Sequence, residues 1–180
     1  MRVSATDLAG VTLIEPKVFG DDRGFFMESW NARTFAAAGI DAAFVQDNHS
    51  RSRKGVLRGL HYQIDHAQGK LVRCVAGEVF DVVVDLRRSS PTFGRSIGLT
   101  LSAQNQWVLW VPPGFAHGFL AMSDLADFLY KTTDYWYPEH ERTLLWNDAA
   151  LGIAWPVSGA PILAAKDAAG TPLAAADVYD

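Results

Sequence analysis

The sequence is short of most features that assign a chain of 180 residues to a class at once. It has one cysteine, Cys74. No disulfide can form within the chain, and a reducing compartment is the simplest expectation. No apolar run is long enough to cross a bilayer, and the opening "MRVSATDLAG" lacks the apolar core of a secretory signal. These absences predict a soluble, cytoplasmic protein with no membrane partner. Basic residues are not in excess: 16 Lys and Arg stand against 20 Asp and Glu, a formal charge of -4. That balance argues against a general nucleic-acid surface, so an anionic ligand would need a local basic cluster. There is no glycine-rich phosphate loop of either the Walker or the dinucleotide kind. No nucleophilic triad is visible, and Cys74 inside "LVRCVAG" reads as a small core residue. No internal repeat, low-complexity linker or domain boundary interrupts the chain, which reads as one domain over residues 1–180.

What is present is a hydrophobic fraction of 49% arranged in short apolar runs between turn formers, the rhythm of an all-β chain. Candidate strands lie at "GVTLIEPKVF", "AFVQDNHS", "GVLRGLHYQ", "KLVRCVAG", "EVFDVVVDL", "RSIGLTLS", "QWVLWVPP", "GFLAMSD" and "ADFLYKTTDYW". The connectors, such as "RRSSPTFG" and "PPGFAHG", are rich in Gly, Pro and Ser. One helix is predicted at "NARTFAAAG", capped by Asn31 and ended by Gly39, and a second short one near "NDAALG". So many short strands in a chain of this length predict a sandwich or jelly roll with a few short peripheral helices.

Several strands carry charges that a buried strand has little reason to carry. In "EVFDVVVDLR", alternation puts Phe80, Val82, Val84 and Leu86 on one face and Asp81, Val83 and Asp85 on the other. Asp81 is the candidate for a polar cavity, while Asp85 at the strand end is expected to be solvated. In "FLYKTTDYW", an unbroken strand would set Tyr130 and Trp136 roughly 20 Å apart, the two ends of an elongated ligand. Arg58, Lys70 and Arg73 lie within or beside apolar strands, where a charge needs a partner, and several together suit a diphosphate. The histidines are His49, His61, His66, His117 and His140. None has the tight spacing of a metal site, since "LHYQ" offers a glutamine where a second histidine would stand. No metal and no cofactor are expected. The remaining equipment is histidine, tyrosine, lysine, arginine and aspartate on strands, which is acid-base chemistry without a nucleophile.

Taken in order, "EPKVFGDDRGFFMESW", "FVQDNHSRSRKGVLRGLHYQ", "QGKLVRCVAGEVFDVVVDLR", "SPTFG", "WVPPGFAHGFL", "FLYKTTDYW", "LLWNDAALGIAWP" and "AAKDA" resemble the dTDP-4-dehydrorhamnose 3,5-epimerase family. The resemblance runs from near residue 10 to about residue 173. It implies a cupin jelly roll that works without metal as a homodimer, with an N-terminal strand packing into the neighbouring subunit. It implies as substrate a dTDP-linked 4-keto-6-deoxyhexose whose C3 and C5 protons are acidified by the C4 ketone. By that resemblance His61 is the base, Asp167 the carboxylate that orients it, Tyr130 the opposed proton donor and Lys70 the cation at the enolate oxygen. Arg58 matches a phosphate-binding arginine. Arg23, Glu28, Gln46, Asp47, Asn48, His117, Glu141 and Lys166 match further substrate contacts, and Asp81 is expected to face the same cavity. The family often stacks a tyrosine on the thymine; here Trp136 stands in that place.

Two rivals remain open from the sequence. One is a related cupin enzyme that inverts a single carbon or moves the ketone; the other is a non-catalytic sugar-nucleotide-binding module. A last expectation concerns "VLRGLHYQ" at residues 56–63. A regular strand would point Arg58 and His61 to opposite faces, yet the resemblance asks both to reach one ligand. A β-bulge or sharp twist at Gly59 or Leu60 is predicted to bring them together.

Overall fold

Alternation of period two sorts these strands into layers. The computed structural model of the chain describes residues 1–180, with thirteen strands and two short α-helices. A six-stranded sheet runs in the order β1 (Arg2–Ala5), β2 (Thr12–Glu15), β10 (Val108–Val111), β7 (Lys70–Ala76), β12 (Leu125–Thr132), β5 (Gln46–Arg53). A five-stranded sheet runs β13 (Glu141–Thr143), β6 (Leu57–Gln63), β11 (Phe115–Ala121), β8 (Glu78–Asp85), β9 (Ser96–Ser102). All named pairings are antiparallel. The two sheets make the jelly roll of the cupin fold, and burying their inner faces against each other is the main stabilising term.

The inner face is apolar toward one end. Val72 and Cys74 of β7, Val79 and Val83 of β8, Phe119 of β11 and Phe128 of β12 belong to one buried cluster. On the same inner face, Lys70 and Tyr130 continue the alternation of β7 and β12 past the apolar cluster, while Asp81 and His117 stand between its members on β8 and β11. The outer face of the five-stranded sheet (Leu60, Tyr62, Val82, Val84) is covered by residues from the C-terminal third, including Leu144, Leu151 and Ala176. The outer face of the six-stranded sheet packs Leu71 and Trp110 against Phe35. Phe35 belongs to helix α1 (Ala32–Ala37), whose first turn is capped by Asn31 Oδ1 accepting from Arg33 N and Thr34 N.

Several expectations need correcting. "GVTLIEPKVF" is two strands, because Pro16 has no N–H to continue the ladder; β3 (Val18–Asp21) then pairs with β4 (Gly24–Met27) in an exposed hairpin. Strand β12 ends at Thr132, whose hydroxyl donates to the Asp134 carbonyl. The chain turns there, so the roughly 20 Å strand separation of Tyr130 and Trp136 does not apply. Asp85 is not solvated but 0% exposed. Burial opposes its ionisation, but hydrogen bonds from Arg87, Ser90 and Thr92 outweigh that and hold its carboxyl down at about 2. The second short helix is a single 3-10 turn at Ala149–Leu151, while α2 (Ala165–Ala168) is an element the strand pattern did not announce. No helix is long and apolar enough to cross a membrane.

Candidate active site

The polar end of the sandwich encloses a cavity of about 350 Å³. Its geometry begins with β6. Between the pairs His117–His61 and Phe119–Arg58, strand β6 advances three residues while β11 advances two. One residue is extra, which is a β-bulge. Gly59 takes φ +118 there, and a Cβ on it would lie 2.6 Å from the Gly118 Cα and 2.8 Å from the His117 carbonyl oxygen. Glycine is therefore needed for both backbone angle and close approach. The bulge resets the alternation, so Arg58 and His61 both line the cavity, as the stretch at residues 56–63 required.

His61 Nε2 lies 2.6 Å from Asp167 Oδ1, on α2. Asp167 is buried. With Nε2 committed to that carboxylate, Nδ1 is the ring nitrogen left for chemistry. Lys70 Nζ donates to the His61 carbonyl oxygen at 3.1 Å. Burial lowers the Lys70 ammonium to about 8, against the opposing pull of Glu141 and Asp81. Tyr130 stands on the inner face of β12, where burial raises its phenol above the ordinary value; Glu141 adds to the rise and Arg58 opposes it. The phenol is thus held protonated beside a cation that would stabilise its anion. His117 Nε2 meets Asp81 Oδ2 at 2.9 Å. Burial raises the Asp81 carboxyl, while His117 and Lys70 pull it down.

Beside Tyr130, Arg58 Nε donates to Ser52 Oγ at 2.9 Å, which steadies the guanidinium. Lys166 and Glu141 pair at 2.9 Å. Trp136, Gln46 and Asn48 also line the space. Trp136 N donates to Gln46 Oε1, and Gln46 Nε2 to Asn48 Oδ1.

Five of the expected residues do not line the cavity. Arg73 is three residues from Lys70 on β7, so the pleat turns it to the opposite face, where it borders a separate pocket. Asp47 sits between Gln46 and Asn48 on β5, so the pleat turns it to the opposite face, where it pairs with Lys131 at 2.8 Å. Asp81 lies behind the wall, in contact through His117. Arg23 is at the tip of the β3–β4 hairpin, its guanidinium on Asp21. Glu28 accepts from Asn31 and Thr34 near the start of α1. Conversely, Ser50, Gln68, Phe119 and Phe128 line the cavity and were not singled out. Ser50 was reachable by extending the alternation from Asn48. Its hydroxyl oxygen is buried and has no hydrogen-bond partner within the chain. Gln68 lies in a connector, where no periodicity applies. No three His, Cys, Asp or Glu side chains converge as a metal site would require.

The arrangement has an oriented imidazole, a protonated phenol and a buried ammonium around one space, with Arg58 and Lys166 adding positive charge beside them. It can remove a proton from carbon, stabilise the oxyanion formed and return a proton. The profile of the dTDP-4-dehydrorhamnose 3,5-epimerase family matches residues 5–175. A dTDP-4-dehydrorhamnose 3,5-epimerase of Pseudomonas aeruginosa is 59% identical over 180 residues, covering 99% of each chain. One from Salmonella typhimurium is 58% identical over 171 residues, covering 94% of this chain and 93% of that one. Among solved structures, the Legionella pneumophila epimerase in complex with dTDP-4-keto-L-rhamnose superposes with a TM-score of 0.94 at 51% identity, covering 97% of this chain and 93% of that one.

Proposed function

The chain belongs to the dTDP-4-dehydrorhamnose 3,5-epimerase family, and we propose that it inverts C3 and C5 of dTDP-4-dehydro-6-deoxy-D-glucose to give dTDP-4-dehydro-L-rhamnose. The observation that carries this reading is the convergence of the His61–Asp167 pair, Tyr130 and Lys70 on one cavity. At each carbon, His61 Nδ1 takes the proton. The C–H electrons move into an enolate on the C4 oxygen, and the Lys70 ammonium stabilises that charge. Tyr130 delivers its phenolic proton to the opposite face of the carbon, and Arg58 favours the tyrosinate left behind; before the second carbon is inverted the imidazolium gives up its proton to solvent and the tyrosinate takes one back. Asp167 holds the ring and stabilises the imidazolium that forms, which is why a carboxylate and not a neutral partner belongs there.

The ligand fits the rest of the cavity. Arg58 and Lys166 supply positive charge for the diphosphate, in a chain that is net negative overall. Trp136 offers an aromatic face for the thymine. Gln46, Asn48, His117 and Glu141 supply hydrogen-bonding groups around it. The mechanism needs no metal, because lysine performs the work a Lewis acid would do at the enolate. Nothing in it needs a cofactor, and the cytoplasm is the compartment where its nucleotide-sugar substrate would be met.

A homodimer completes the picture. The β3–β4 hairpin exposes Phe19, Phe25 and Phe26, the last to 70%, which is poor use of aromatic surface in a lone chain. The same hairpin carries Arg23 and leads to Glu28, both outside their own cavity. Pairing of two chains through this hairpin would cover the phenylalanines and carry Arg23 and Glu28 toward the neighbour's nucleotide. The function is tested by NMR of the dTDP-4-keto-6-deoxyglucose reaction in deuterated water. Deuterium should enter at C3 and C5, His61→Ala should abolish both exchanges, and Tyr130→Phe should slow epimerisation more than exchange. Exchange at one carbon only would replace this reading with single inversion.

A further inference from the structure

Gln63 stands two residues beyond His61 on β6, is 3% exposed, and does not line the cavity. Its amide is fully engaged. Nε2 donates to the His66 carbonyl at 2.7 Å and to the Tyr135 carbonyl at 3.1 Å. Oε1 accepts from Tyr137 N at 2.7 Å. The assignment of oxygen and nitrogen is forced, since a flipped amide would set two donors against Tyr137 N–H and an acceptor against two carbonyls. The residues on either side of Trp136 are therefore tied to one side chain. Trp136 itself is 54% exposed and lies beyond the end of β12, so neither core packing nor a strand ladder fixes its position. Its own N–H is held by Gln46.

We propose that Gln63 is a positioning residue for the nucleotide: it locks the turn at residues 135–137 so that the Trp136 ring stands ready to stack on the base. The inference rests on the proposed role of Trp136. It also accounts for a glutamine at a buried strand position, where an apolar residue would satisfy packing alone. Because Gln63 and His61 share a strand, the anchor for the base end and the group that takes the proton are set on one rigid element, about 7 Å apart along it. An amide suits this job because it presents two donors and an acceptor at once, matching two carbonyls and one N–H of the turn.

The test is a double-mutant cycle on dTDP affinity by titration calorimetry, with steady-state kinetics beside it. Base–aromatic stacking contributes on the order of 5- to 150-fold in affinity, which bounds what Gln63 can add through Trp136. Gln63→Met, similar in length and without hydrogen bonds, should weaken dTDP binding by about 5- to 30-fold and raise KM in step, with kcat within about twofold. In the Trp136→Ala background the same change should alter affinity by less than about twofold. Equal losses in kcat and affinity, or full multiplication of the two effects in the double variant, would overturn the proposal in favour of a general structural role. If Trp136→Ala alone leaves dTDP affinity intact, the stacking reading fails instead. Should Gln63→Met not fold, amide hydrogen exchange of the wild-type protein decides: Tyr137 N–H must be protected without ligand, and rapid exchange there would sink the proposal.

Discussion

Replacing Asp167 by asparagine tests the centre of the mechanism with the smallest possible change in shape. The carboxylate is buried and 2.6 Å from His61 Nε2. Asparagine keeps the volume but gives up the charge that stabilises the imidazolium at the moment of proton transfer. A hydrogen bond to a charged group contributes roughly 1.5–3 kcal/mol. At about 1.36 kcal/mol per tenfold, the expected fall in kcat/KM is about 10- to 150-fold. A second effect works in the same direction. An amide can donate to Nε2, which would move the ring proton to Nδ1 and remove the lone pair that faces the substrate. The assay is deuterium uptake at C3 and C5 together with the epimerisation rate. Dissociation of dTDP and the thermal midpoint serve as controls, and both should stay near wild type. The two exchanges should slow by the same factor, since one imidazole serves both carbons. A loss smaller than about threefold, or a parallel loss of dTDP affinity, would refute the reasoning and reduce Asp167 to a packing residue.

Other outcomes follow from the same geometry. Burial depresses the Lys70 ammonium from 10.5 to about 8. Between those values the unfolded chain keeps a proton the folded chain has lost, so stability should rise with pH across that window, and Lys70→Met should flatten the rise in thermal melts. Over the same range kcat/KM should fall above about pH 8 as the enolate loses its cation; a flat profile to pH 9.5 would contradict that role. Gly59→Ala forces a Cβ to within 2.6 Å of the Gly118 Cα at φ +118. Strain and overpacking together should destabilise by about 2–4 kcal/mol, a drop in Tm on the order of 10 °C by calorimetry. Exhaustive treatment with a chelator should leave activity unchanged; loss that zinc or another divalent ion restores would overturn the metal-free mechanism.

The sequence by itself determined the class of fold, because sheet burial writes itself locally. Val79, Asp81 and Val83 could be assigned to one face of β8 and Phe80, Val82 and Val84 to the other from a period of two alone. The cap at Asn31 was legible for the same reason: its hydrogen bonds reach two and three residues along the chain. The chain's own oddities also marked the chemistry, since an arginine, a histidine and a lysine in apolar strands have to be explained by something they bind. What only the tertiary structure decided was which of these groups meet. Asp167 was paired with His61 by resemblance and not by spacing, since it reaches the ring across 106 positions of sequence on a four-residue helix too short to announce itself. Asp85 reads as a solvated strand end until three partners from the following turn surround it. In each case a motif records neighbours along the chain, whereas burial and hydrogen bonding depend on neighbours in space. At Gly59 the two kinds of information join: the sequence showed that Arg58 and His61 needed a break in alternation, and the close approach of Gly118 supplied the physical reason that the break occurs there.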